Sequence, residues 1–154
     1  MPQVNVTERK VSPKLDQGLI TGVYAGAVAW VWMLLIGALG AGSAADFGVY
    51  LSATVLGPDA VQSPGFGGDW LIGSVIHFVY WAVLGVVWAL LWPTIRRYGT
   101  LTPALLFSIA AYVVVVQIIL RLIEPATVES LGVSGHLIAF ILGGFTFAWR
   151  YRRA

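Results

Sequence analysis

Four long apolar runs are the feature that most constrains what this chain can fold into. They lie at about residues 18–40, 70–92, 103–123 and 131–149. A helix needs about 20 apolar residues to cross a bilayer whose hydrocarbon core is roughly 30 Å thick. Because no water reaches the backbone there, each run must pair its own N–H and C=O groups as a helix. The sequence therefore predicts an all-α, polytopic membrane protein, a bundle of four transmembrane helices.

Composition agrees with this class and narrows the range of functions. The 154-residue chain is 58% hydrophobic and only 10% charged, whereas soluble domains carry about 25% charged residues. A formal net charge of +2, spread along the chain, does not favour nucleic-acid binding. The chain has no cysteine, which excludes disulfides, thiolate metal sites and thiol catalysis.

Proline residues mark several predicted helix ends. Pro93 closes the second helix, and the third ends before Pro125, because proline cannot continue the hydrogen bonds of a helix. Thr102 and Pro103 are typical of a cap followed by proline at the first helical position. We expect one membrane domain, residues 18–149.

Basic residues predict the orientation of this domain, since lysine and arginine are retained on the cytoplasmic side. Eight of the nine fall on one side of a four-helix topology, and Arg121 is the exception. The eight are Arg9, Lys10, Lys14, Arg96, Arg97, Arg150, Arg152 and Arg153. We therefore expect a cytoplasmic N-terminal segment, 1–17, a basic cytoplasmic tail, 150–154, and a location in the inner cell membrane.

The longest connection, from Ala41 to Asp69, follows the first helix on the outer side. Its first half places Phe47, Tyr50, Leu51 and Val55 at helical spacing. This pattern predicts a short helix at the outer interface of the membrane. The loop is either a simple connector or a cap over a site or a partner.

The second and fourth helices share a sequence pattern at a fixed offset. His77, Gly85, Ala89 and Trp92 correspond to His136, Gly144, Ala148 and Tyr151. Two copies of a helical hairpin would be related by an axis along the membrane normal. The two histidines would then lie at equal depth, in the outer half of the membrane.

This pattern resembles a group of small uncharacterised bacterial four-helix membrane proteins. In that group a histidine comes early in the second and fourth helices, with glycines one to two turns later. The resemblance covers most of the chain and implies no particular activity.

Few ionisable or amide side chains lie inside the apolar runs, and such groups are candidate functional residues by default. They are His77, Gln117, Arg121, Glu124 and His136. The three on the third helix are spaced to share one face of an α-helix. We predict that they form a polar cluster with the histidines.

Two functional alternatives follow from this cluster. One is a single b-type haem held between His77 and His136, since haem takes axial ligands from facing helices. The other is a small oligomeric transporter, although the inner halves of the helices offer no polar path. No metal site is expected, because the histidines lack the spacing of a metal motif. No catalytic constellation is apparent, so we do not expect an enzyme.

Glycines at four-residue spacing allow close helix packing. Gly18, Gly22 and Gly26 form such a face on the first helix, and Gly85 and Gly144 are candidates on the second and fourth. The face packs within the bundle or docks a partner helix. The sequence favours a non-catalytic accessory or structural subunit of a larger membrane complex of an energy-transducing kind, with no cofactor and with other membrane subunits and lipid as partners.

Overall fold

Helices account for almost all of the structure, a computed structural model that describes residues 14–40, 43–62 and 65–152. Four helices are long and apolar enough to span a membrane: α1 (Leu15–Leu39), α3 (Gly68–Ile95), α4 (Leu101–Ile123) and α5 (Pro125–Arg152). A shorter apolar helix, α2 (Asp46–Leu56), follows α1. The predicted four-helix membrane bundle with a short additional helix is confirmed. Residues 1–13 and 153–154, which include most of the predicted terminal segments, lie outside the described residues.

The four long helices run alternately up and down. α1 packs between α3 and α5, α4 packs on α5, and α3 meets α4 at few positions. One end of the bundle, the basic end, carries Lys14, Arg96, Arg97, Arg150 and Arg152. The opposite end, the loop end, carries α2 and the turn between α4 and α5. Because α3 and α4 diverge, a gap remains between them.

Glycines bring α1 and α3 into backbone contact. A Cβ atom added at Gly18 would lie 2.6 Å from the carbonyl oxygen of Gly85, and one added at Gly22 would overlap the backbone of Trp81. At Gly26 it would lie 2.9 Å from the Trp81 Cβ. Real Cβ atoms do not approach so closely, so only glycine permits this packing. The small-residue face of α1 is therefore turned into the bundle.

Aromatic rings fill the axis of the bundle between α3 and α5. Three ring pairs meet there: Trp81 with Phe140 at 5.1 Å, Trp88 with Phe147 at 5.8 Å, and Trp92 with Tyr151 at 5.1 Å between centroids. Each pair has the same sequence offset as His77 and His136. Equivalent residues of the two hairpins thus meet at the axis, which supports an internal repeat.

The second hairpin repeats the glycine contact of the first. A Cβ added at Gly144 of α5 would lie 3.2 Å from the Ala104 carbonyl oxygen and 2.9 Å from Ser108 Oγ, both on α4. Gly144 therefore holds α5 against α4, just as Gly85 holds α3 against α1.

Two helix ends differ from the predicted ones. α3 continues past Pro93 to Ile95, because a proline in the last turn removes only one backbone hydrogen bond. Pro103 is the third residue of α4, not the first. The amides of a first turn have no acceptor within the helix, so proline is tolerated at either position.

A break at Gly132 divides the last helix. α5 begins at Pro125, earlier than predicted, and Gly132 adopts φ 65° and ψ 171°. This backbone region is essentially restricted to glycine. The helical stretch beyond Gly132 corresponds to the predicted fourth span.

Candidate functional site

The short helix α2 is inserted into the loop end of the bundle. Its Phe47 and Leu51 are buried, whereas Val55, on the same predicted face, is 69% exposed. Thr127 Oγ1 of α5 donates a hydrogen bond to the Tyr50 carbonyl at 3.0 Å. The helix therefore does more than lie at the interface. It covers the loop end of the bundle, as the cap alternative requires.

His77 of α3 is buried beneath α2 and joins two helices. Its Nε2 lies 2.9 Å from the Gly26 carbonyl oxygen of α1. A carbonyl oxygen can only accept, so Nε2 carries the hydrogen and donates it. The imidazole also packs on the Trp30 indole, with 4.6 Å between ring centroids. His77 thus contributes to the packing of α1 on α3.

His136 of α5 is 1% exposed and differs from His77 in its hydrogen bonds. Its Nδ1 lies 2.9 Å from the Gly132 carbonyl oxygen, one turn earlier in the same helix. Nδ1 therefore donates, and Nε2 of the neutral ring is left as an acceptor. Nε2 is buried and has no hydrogen-bond partner within the described part of the chain.

The ring of Phe47 contacts both imidazoles. Its centroid lies 6.0 Å from that of His77 and 5.5 Å from that of His136. The two histidines are thus brought together at the loop end, through α2. A haem between them would require Phe47 to move and His77 to give up its bond to Gly26 as Nε2 turned to the iron.

A cavity of about 380 Å³ lies beside the two histidines. All five helices contribute to its walls, which are mostly aliphatic and aromatic. Its lining residues include Met33, Phe47, Leu51, His77, Tyr80, Val115, Val116, Ile119, His136 and Phe140. The lining residues Val55, Ile119 and Ile123 are also exposed on the bundle surface. The cavity therefore reaches the surface at the gap beside α4.

A π-helix forms one wall of the cavity. Residues Val113–Leu120 of α4 adopt this form, in which each N–H bonds five residues back, and such segments are frequent at functional sites. The side-chain amide of Gln117 donates to the Tyr112 hydroxyl, five residues earlier. Gln117 lies in this segment, so its position relative to Arg121 and Glu124 differs from the one that α-helical spacing predicts.

The structure does not gather the five predicted polar residues into one cluster. The histidines line the cavity and Gln117 bonds to Tyr112, but Arg121 is exposed and Glu124 is half-buried at the turn after α4. The exposed position of Arg121 near the loop end avoids burying its charge in hydrocarbon.

Sequence reasoning missed two contributors to this site, Phe47 and Tyr80. Phe47 was placed on an interfacial helix, without a role. Tyr80 follows His77 by three residues, so it lies on the same side of α3, and this spacing was the available signal. Its hydroxyl is buried and, among the described residues, has no hydrogen-bond partner.

The arrangement is suited to binding. Among the described residues, no three His, Cys, Asp or Glu side chains lie together as metal ligands would. Toward the basic end, the axis is filled by Trp88, Phe107 and Phe147, whose centroids lie within 5.8 Å of each other. A transport path through the axis would therefore have to displace these rings.

Comparison with known proteins adds no assignment to this geometry. No protein-family model, curated protein or solved structure matches the chain.

Proposed function

We propose that the protein is a non-catalytic binding protein of the membrane that holds one small, largely apolar molecule beneath α2. The cavity beside His77 and His136 carries this proposal. Its volume of about 380 Å³ falls within the roughly 300–1,000 Å³ of sites for small molecules. Such sites are mostly apolar, with a few polar groups that orient the ligand, and this description fits the walls of the cavity.

The position of the opening favours entry from lipid. Val115 and Ile119 lie on the third spanning helix, and Ile119 is both a lining residue and exposed. An apolar molecule dissolved in the bilayer would reach the gap between α3 and α4 by lateral diffusion. α2 covers the loop end, so entry from the water on that side would require α2 to move.

The orientation of the bundle is part of the proposal. We place the basic end on the cytoplasmic side of the inner membrane, because lysine and arginine are retained there. The described basic residues support this: only Arg121 lies toward the loop end. The cavity then lies in the outer half of the membrane.

An accessory role in a larger membrane complex of an energy-transducing kind remains a further proposal. α1 exposes Leu19, Ile20, Val23 and Tyr24 along a shallow groove, a surface that suits either lipid or another helix. Purification under conditions that preserve complexes, followed by mass spectrometry, tests this role. The cavity supports binding whether or not a partner is present.

Photolabelling in native membranes tests the binding proposal. An apolar diazirine probe should label cavity residues saturably, and excess unlabelled apolar compound should reduce that labelling. Val115→Trp, which fills the cavity, should abolish the saturable part. Val114→Trp is the matched control, because Val114 is 49% exposed and does not line the cavity.

Labelling at the cavity that does not saturate in the wild type would contradict the proposal. Equal saturable labelling of the two tryptophan variants would contradict it as well. The melting temperatures of both variants in detergent serve as a control. When they are equal, a loss of labelling results from the filled cavity and not from a change in the fold.

A further inference from the structure

We infer that the molecule held in the cavity carries a hydroxyl group, which His136 and Tyr80 recognise. This inference rests on the proposed binding function and specifies the chemical class of the ligand: an apolar alcohol or phenol.

His136 requires a hydrogen-bond donor from the ligand. Its Nδ1–H already donates to the Gly132 carbonyl oxygen at 2.9 Å. The remaining nitrogen, Nε2, is an acceptor in the neutral ring and is buried without a partner among the described residues. An unpaired buried acceptor is destabilising, because it has lost its hydrogen bonds to water. A ligand O–H or N–H would restore the missing bond.

Tyr80 requires an acceptor from the same ligand. Tyr80 lines the same cavity, and its hydroxyl is buried without a partner in the described part of the chain. A phenolic O–H can both donate and accept, but its hydrogen needs an acceptor when the group is dry. Among the described residues, no polar side chain that lines the cavity accepts this hydrogen.

A hydroxyl group meets both requirements, since its oxygen accepts while its hydrogen donates. A ketone or an ether only accepts, so it would leave His136 unpaired. A charged group is not favoured, because the described residues that line the cavity include no carboxylate, lysine or arginine to balance it, and an unpaired buried charge is costly. The apolar walls fit the remainder of an alcohol or phenol.

Competition between two matched compounds tests this inference. A naphthol and its methyl ether have nearly the same shape, and only the naphthol can donate. Each is used to displace the diazirine probe from the cavity of the protein in nanodiscs, with its concentration corrected for partition into empty nanodiscs. We expect the naphthol to compete about tenfold more strongly, because the ether leaves a buried acceptor unpaired.

Two variants assign this preference to residues. Tyr80→Phe removes only the hydroxyl and should weaken competition by both compounds, because the oxygen of each accepts from Tyr80. His136→Phe should abolish the preference while the ether still competes. If the histidine variant does not fold, Tyr80→Phe still tests the site, since unchanged competition by both compounds in it would overturn the role of Tyr80.

Equal competition by the two compounds in the wild type would overturn the inference. That result is expected if a water molecule, and not a ligand hydroxyl, pairs with His136 and Tyr80. The binding function would then still stand. Failure of both compounds to compete would instead count against the proposed function itself.

Discussion

At the scale of single residues, the presence or absence of a Cβ atom sets the distance between helices. Gly18 and Gly22 of α1 lie against Gly85 of α3, so that the two backbones touch. In a bilayer, apolar side chains gain little by leaving lipid for another helix, and close packing of this kind drives association instead. The large rings of Trp81 and Trp88 instead fill the wider space at the axis of the bundle.

We predict that Gly22→Leu destabilises the bundle. A side chain at this position would overlap the Trp81 backbone, and overpacking of this kind typically costs about 1–3 kcal/mol. The variant should unfold at lower temperature in detergent. Gly68→Leu is the control, because nothing lies within 4 Å of a Cβ added there. Equal melting temperatures for both variants and the wild type would show that α1 and α3 do not pack through glycine.

At the scale of helices, three departures from a plain bundle of four regular α-helices shape the cavity. α2 is inserted below the loop end, the π-helix Val113–Leu120 forms a wall, and the break at Gly132 supplies the carbonyl that holds His136. Each departure lies at the loop end. The halves of the helices near the basic end, in contrast, pack regularly around the aromatic rings.

We predict that Gly132→Ala destabilises the protein by about 1–3 kcal/mol, the typical cost of holding a residue in a sparsely populated backbone region. The strain arises because Gly132 has a φ of 65°, which alanine resists. Gly68→Ala, in open space and with an ordinary φ, is the matched control. Thermal unfolding in detergent measures both. A wild-type melting temperature for Gly132→Ala would mean that α5 runs through this position without the break.

The same departures explain which parts of the structure could be predicted from the sequence. The four spans follow from the lengths of the apolar runs. The burial of both histidines agrees with the rule that ionisable residues in spanning helices face the interior of the bundle. The face predicted for Gln117, Arg121 and Glu124 assumed α-helical spacing, whereas the chain forms a π-helix at Gln117. The depth of Phe47 depends on how α2 packs on the bundle. The spacing of apolar residues along α2 does not determine that packing.

At the scale of the whole molecule, equivalent rings of the two hairpins meet at the axis of the bundle, but the packing around the axis is unequal, since α1 packs on α5 whereas α4 meets α3 at few positions. Trp92 meets Tyr151, and His77 and His136 both contact Phe47. α2 has no counterpart in the second hairpin. It makes the first hairpin larger than the second at the loop end and covers the cavity there.

We predict that the basic end faces the cytoplasm, because lysine and arginine are retained on that side. The chain has no cysteine, so single cysteines report the side directly. A membrane-impermeant thiol reagent should label Gln62→Cys in intact spheroplasts and should label Tyr98→Cys only after lysis; both positions are exposed. Labelling of Tyr98→Cys before lysis would reverse the orientation.

Native mass spectrometry of the protein released from its own membranes tests the central claim most directly. The account predicts one small apolar molecule bound to each chain in the wild type and in Val114→Trp. The same molecule should be missing from Val115→Trp, whose indole would occupy the cavity, and its fragments should show a hydroxyl group. A protein that carries no such molecule, or carries it equally in both tryptophan variants, would contradict the account.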